Sequence, residues 1–120
     1  MNIALVGASN DTSKYGNKIL HNLLSKGHLV LPVNPKEDFI ETIRCYKSLS
    51  EIKNKIDVIN LVTPPKVTLE VLKEALNLGY KKVWCQPGAS DENIIEFLKE
   101  NNFDYIADAC IMIENIRKLD

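Results

Sequence analysis

Gly7 closes the short apolar run Ile3-Ala4-Leu5-Val6 and is followed by Ala8 and Ser9. A glycine there lets the chain turn tightly at a strand end, and a small residue and a hydroxyl after it let backbone N–H groups approach an anion. The chemistry this predicts is phosphate binding, supported by the positive end of the helix that follows. Gly7 and Gly16 are not spaced as G-x-G-x-x-G, and Asn10-Asp11-Thr12-Ser13 makes the loop longer than that dinucleotide fingerprint. Gly7 alone is equally compatible with a plain strand end.

A second group, Asn34-Pro35-Lys36, helps to choose the ligand. Nicotinamide enzymes usually end their second strand in Asp or Glu, which holds a ribose hydroxyl. A lysine suits a phosphorylated ribose instead, either the 2′-phosphate of NADP or the 3′-phosphate of coenzyme A. Glu37 and Asp38 follow directly and weigh against it, and an exposed lysine without a ligand is as common a reading. Thr63-Pro64-Pro65 and Gln86-Pro87-Gly88 end two further strands, completing four loops of glycine, proline and small polar residues.

Catalytic groups are scarce. His21 lies within a helix and His28 opens a strand, so both read as structural or surface residues rather than general bases. Asp108 and Glu114 follow the last strand and could pair or face the crevice, but no nucleophile has a neighbouring base. Cys45, Cys85 and Cys110 are odd in number and lack a C-x-x-C spacing, which predicts reduced thiols with neither a disulfide framework nor a metal site. Cys85 and Cys110 could both approach the site, where a thiol-bearing cofactor would permit a mixed disulfide. Trp84 reads as a core or interface aromatic rather than a stacking platform.

The elements that must position these loops alternate strand and helix from end to end. Ile3–Val6, Leu29–Val33, Val58–Val62, Val83–Cys85 and Tyr105–Ala107 read as strands, the first as one buried on both faces. Ile19, Leu20, Leu23 and Leu24 recur at helical spacing and end at Lys26-Gly27. Pro64-Pro65 opens the clearest helix, with Val67, Val71, Leu72, Ala75, Leu76 and Leu78 on its apolar face, Glu70, Lys73 and Glu74 in water, and Gly79 at its end. Ser48 with Glu51 reads as a capping box for a brief helix from Leu49 to about Lys53, Thr42–Tyr46 as a short edge strand, and Ser90 as the cap of a helix through Ile94–Leu98. The pattern predicts a three-layer, doubly wound, Rossmann-like α/β domain over residues 1–120, with a mostly parallel sheet of about five strands.

With 120 residues, 45% hydrophobic and 26% charged, the chain has the make-up of one globular domain. A net charge of -1 gives no basic field for nucleic acid. No apolar run approaches membrane-spanning length and no basic leader precedes Ile3, so a cytoplasmic protein is expected.

Taken together, Val6-Gly7-Ala8-Ser9, Lys14-Tyr15-Gly16, Pro32-Val33-Asn34-Pro35, Ser48-Leu49 with Asp57-Val58, Pro64-Pro65 with Glu74-Ala75, Val83-Trp84 with Gln86-Pro87-Gly88, and Asp108 with Cys110 to Glu114 form an ordered set. In this set the chain resembles the small stand-alone CoA-binding domain proteins of bacteria, whose fold is similar to the CoA-binding domain of the succinyl-CoA synthetase alpha subunit. The resemblance implies that Gly7, Ala8 and Ser9 hold the pyrophosphate of CoA with Lys14 near the phosphates. It implies that Asn34, Pro35 and Lys36 border the adenosine and its 3′-phosphate, that Thr63 and Pro64 line the adenine side, and that Gln86, Pro87 and Gly88 line the pantetheine path. It also implies no catalysis, since the larger synthetases add a second domain with a phosphorylated histidine that neither His21 nor His28 matches. The expected protein is a binding or sensing module for CoA or an acyl-CoA. The alternatives are a small NAD(P)-binding oxidoreductase-like domain, or an interaction subunit whose Cys110–Ile113 segment packs on a partner or on its own twin as a homodimer.

Overall fold

The computed structural model describes residues 1–119. It runs through β1 (Asn2–Val6), α1 (Tyr15–Ser25), β2 (Leu29–Val33), a hairpin of β3 (Phe39–Ile40) and β4 (Ile43–Arg44), then β5 (Val58–Leu61), α2 (Pro65–Leu78), β6 (Lys82–Cys85), α3 (Glu92–Glu100) and β7 (Asp104–Ala107). Single 3-10 turns stand at Leu49–Glu51 and Ile116–Leu119. The five longer strands form one parallel sheet in the order β2-β1-β5-β6-β7. This is the expected α/β architecture.

Both faces of the sheet are covered, which is why its strands are apolar at nearly every position. Successive side chains alternate between faces. Ile3, Leu5, Val30, Val58 and Trp84 pack with Ile19, Leu20 and Leu23 of α1, and with Ile111 and Ile116 from the C-terminal segment. Ala4, Val6, Leu31, Ile59, Leu61 and Val83 pack with Leu72 and Ala75 of α2 and with Ile94 and Leu98 of α3.

Pro32 is tolerated because β2 is an outer strand, where a missing N–H breaks no central ladder. Its carbonyl accepts from Tyr46 N (2.9 Å), and Asn34 N donates to Tyr46 O (2.9 Å). Tyr46 is thus the one residue of the expected Thr42–Tyr46 edge strand that bridges to the sheet, beside Val33. Ile43 and Arg44 instead fold back on Ile40 and Phe39 across a turn with Glu41 at φ 56.

Two caps differ from expectation. Ser48 Oγ pairs with Ser50 Oγ (2.8 Å), and Glu51 accepts from Lys47 N (2.7 Å). With that carboxylate engaged one residue upstream of the box, only one 3-10 turn forms and no helix reaches Lys53. At α3 the cap is Asp91, whose Oδ1 accepts from Ile94 N (2.8 Å), rather than Ser90.

In α2 the buried stripe is Thr68, Leu72 and Ala75, while Val67 and Leu78 are exposed. Thr68 is admitted to the core because its hydroxyl pairs with Thr63 Oγ1 (2.7 Å). Centring the stripe there turns Val67 to its edge. Gly79, at φ 85, closes the helix as expected.

Candidate functional site

Strand order reverses between β1 and β5: the chain leaves β1 towards β2 through α1 on one face, and crosses back to β5, from which α2 runs on the other. Beyond the carboxyl ends of strands at such a point lies the natural ligand crevice of an open sheet. A cleft of about 640 Å3 opens there, walled by Gly7 after β1, Asn34, Pro35 and Lys36 after β2, and Thr63 and Pro64 after β5. Lys14, the residue before α1, also faces it.

Two glycines make the crevice possible. Gly7 has φ 98, and a Cβ on it would stand 2.3 Å from Val62 O. A Cβ on Gly16 would stand 2.1 Å from Gly7 O, so the first turn of α1 rests directly on the loop. These are the close backbone approaches that only glycine permits.

The loops are held by asparagine side chains. Asn34 Nδ2 donates to Ala8 O (2.9 Å), and Asn34 Oδ1 accepts from Lys36 N (2.9 Å). Asn10 donates to Phe39 O (2.9 Å) and accepts from Glu41 N (2.6 Å), while Asn17 donates to Ser9 O (3.0 Å) and to Glu41 Oε2 (2.9 Å). Ala8 is wholly buried, and Ser9 Oγ accepts from Asp11 N (3.0 Å). Neither residue is on the cleft wall: they shape the loop while Gly7 faces the space.

The acids after Lys36 have partners of their own. Glu37 accepts from Asn10 Nδ2 (3.2 Å), and Asp38 pairs with Lys47 (2.9 Å). Lys36 therefore faces the cleft while neither acid lines it. Glu41 is held below the usual carboxylate range, first by the Asn17 hydrogen bond and then by His21 (2.7 Å). The Ser13 hydroxyl and amide lower Asp11 in the same way.

The opposite wall was not legible in the sequence. It comprises Lys47, Ser48 and Leu49, with Val67, Glu70, Val71 and Glu74 from α2. Glu74 Oε1 accepts from Leu49 N (3.1 Å) and ties this wall together. The i, i+4 spacing of Val67 and Val71, and of Glu70 and Glu74, marks one helix side, but nothing local says that it faces a crevice.

Gln86 and Pro87 line a separate pocket of about 270 Å3, while Gly88, at φ 86, lines neither space. Gln86 is buried, and its Oε1 accepts from Ile111 N (2.9 Å). Trp84 is a core residue whose Nε1 donates to Ala109 O (2.8 Å). Of the thiols, Cys85 is buried and pushed up to about 12 by desolvation, which removes it from any approach to a ligand. Burial also raises Cys45, and half-buried Cys110 lines the pocket beside Pro87. His28 Nδ1 lies 3.2 Å from the terminal amine, away from the cleft, in keeping with a structural histidine. Among the described residues, no helix is long and apolar enough to cross a membrane.

A family model, the CoA binding domain, matches residues 1–116. The chain belongs to the CoA binding domain family. This CoA binding domain is 36% identical to an ADP-forming acetate–CoA ligase of Methanocaldococcus jannaschii over 94% of its own length and 17% of the ligase. It therefore spans about a sixth of that curated relative. A Bacillus subtilis protein, described as uncharacterized, is 29% identical over 92% of this chain and 82% of its own. Among solved structures, a conserved hypothetical protein from Pyrococcus furiosus superposes with TM-score 0.91 at 54% identity, covering 95% of this chain and 98% of that one. The relatives are archaeal as well as bacterial, so the CoA binding domain is not confined to the bacterial proteins that the sequence resembles.

Proposed function

We propose that this domain binds coenzyme A or an acyl-CoA in the cleft at the β1/β5 reversal and acts as a non-catalytic binding or sensing module. The observation that carries the reading is the crevice of a CoA binding domain walled by Gly7, Lys14 and Lys36, which the neighbouring acids Glu37 and Asp38 do not line. Lys36 stands in the loop that follows β2, where a 3′-phosphoribose would be met, and Lys14 stands at the positive end of α1. Val67 and Val71 offer an apolar wall to the adenine.

Calorimetric titration of ligand-free protein with CoA, 3′-dephospho-CoA, NAD and NADP tests the reading. CoA is expected to bind more tightly than its dephospho form. In Lys36→Gln, CoA should weaken by roughly tenfold, the worth of a charge-assisted hydrogen bond, and 3′-dephospho-CoA should change little. Binding of NAD or NADP without CoA at millimolar concentration would overturn it.

A further inference from the structure

The sheet has two outer strands, and they are finished differently. β2 is blunted by Pro32 and closed at its carboxyl end, where Tyr46 bridges to Val33. β7 pairs only with β6, holds no proline, and receives no bridge from another segment among the described residues.

The register tells which backbone groups of β7 are spare. Asp104 N donates to Lys81 O (2.9 Å) and Asp108 N to Cys85 O (3.1 Å), so the alternate residues Asp104, Ile106 and Asp108 turn their amides towards β6. The N–H and C=O groups of Tyr105 and Ala107 therefore point out of the sheet, and no hydrogen bond from another segment among the described residues reaches them. Tyr105, Ile106 and Ala107 are each only half-buried, so apolar surface also stays open beside this edge.

The helix and turns that lead into and out of β7 are acidic. From Asp91 to Asp108 the chain carries Asp91, Glu92, Glu96, Glu100, Asp104 and Asp108 against a single base, Lys99. Glu96, Glu100 and Asp104 are exposed and take part in no ion pair among the described residues. These acids oppose a second copy. Pairing β7 with itself about a two-fold axis, Tyr105 opposite Ala107, sets Asp104 opposite Asp108 twice over, and like charges directly opposite destabilise a strand pair. A strand of the opposite charge meets the same backbone groups with attraction instead.

We propose that β7 is a docking edge, beside which an extended segment of another protein, rich in lysine or arginine, adds as a sixth strand. The outward groups of Tyr105 and Ala107 hold it, and the surrounding acids select it. In this mode main-chain hydrogen bonds supply affinity and side chains supply the choice of partner. The edge lies beyond β6 from the β1/β5 cleft, so the proposal stands whether or not that cleft holds CoA.

Amide hydrogen exchange of the full chain, read residue by residue by NMR, tests this with three blocked heptapeptides. One alternates lysine with valine, one alternates glutamate with valine, and the third is the lysine peptide N-methylated throughout. The Tyr105 and Ala107 amides should exchange freely in the chain alone and slow by about tenfold or more at saturating lysine peptide, as expected of a newly made hydrogen bond. The glutamate and N-methylated peptides should leave them unchanged. Glu96→Lys combined with Glu100→Lys, on the exposed side of α3, should weaken the lysine peptide by roughly tenfold as two exposed attractions become repulsions, and added salt should act in the same direction.

Binding of the lysine peptide that leaves Tyr105 and Ala107 unprotected, as a loose counter-ion layer on α3 would, overturns the proposal. Equal binding of the N-methylated peptide does so as well, and so does the absence of binding at millimolar peptide. Protection of the two amides that grows with protein concentration in the chain alone would give the edge to a second copy, and that too would overturn it.

Discussion

A single added carbon at Gly7 or Gly16 would meet a backbone oxygen well inside contact distance. Gly7→Ala combines that clash with a positive φ and is expected to cost ~1–3 kcal/mol in a denaturant melt, with CoA affinity falling in parallel. A variant that kept both stability and affinity would remove Gly7 from the site. Cys85 makes a prediction of opposite character. Burial holds its thiol protonated up to about 12, so the folded state keeps a proton that the unfolded chain releases above its ordinary value near ~8.5. The associated stability is intact below that value and is lost progressively as pH rises towards the folded value, a negative slope of order 1 kcal/mol per pH unit. Urea melts between pH 7 and 10 should show this alkaline decline, and Cys85→Val should flatten it. The position of Cys85 before Gln86-Pro87-Gly88 suggested access to the ligand; its alternation onto the α2/α3 face of the sheet denies it.

At the scale of elements, the β3–β4 hairpin is moored to α1 by one carboxylate. Glu41 accepts from Asn17 and His21, and these bonds depress its proton affinity. A depressed carboxylate stabilises the fold above its unfolded value and loses that contribution as pH falls through the folded one. Amide protection factors in Phe39–Arg44, taken relative to the intrinsic exchange rate at each pH, should therefore fall on acidification below the ordinary glutamate range, and Glu41→Gln should abolish the dependence. A hairpin equally protected at low pH in both proteins would show that the mooring lies elsewhere. None of this was legible beforehand, because Glu41 and His21 are twenty residues apart and the intervening stretch lacks a clear period. The long elements were legible for the converse reason: α1, α2 and the continuous apolar strands carry their signal within a few adjacent residues. Caps were half legible, since Ser90 and Asp91 are both good caps and only the geometry of the first turn chooses between them.

Across the whole molecule the two cores meet through the sheet, and one residue is at odds with them. Asn60 lies in β5 between Leu5 and Trp84, wholly buried, and neither end of its amide has a hydrogen-bond partner among the described residues. A buried unpaired amide costs ~1–3 kcal/mol, so Asn60→Leu, of similar volume, should raise the melting temperature. A fall would mean that the amide is satisfied in solution.

The order of strands and helices, the glycine and proline turns, the four loops at the strand ends and the family resemblance are all carried by residues within a turn or two of one another, where backbone preference and side-chain period act directly. Which of those residues face the ligand is not local. Lys47, Val67 and Glu74 reach the cleft, Ala8 and Ser9 do not line it, and Cys110 meets a pocket that Cys85 cannot. Each outcome depends on β5 crossing beside β1 and on helices packing at a particular rotation, and those are set by the summed burial of side chains far apart in the chain.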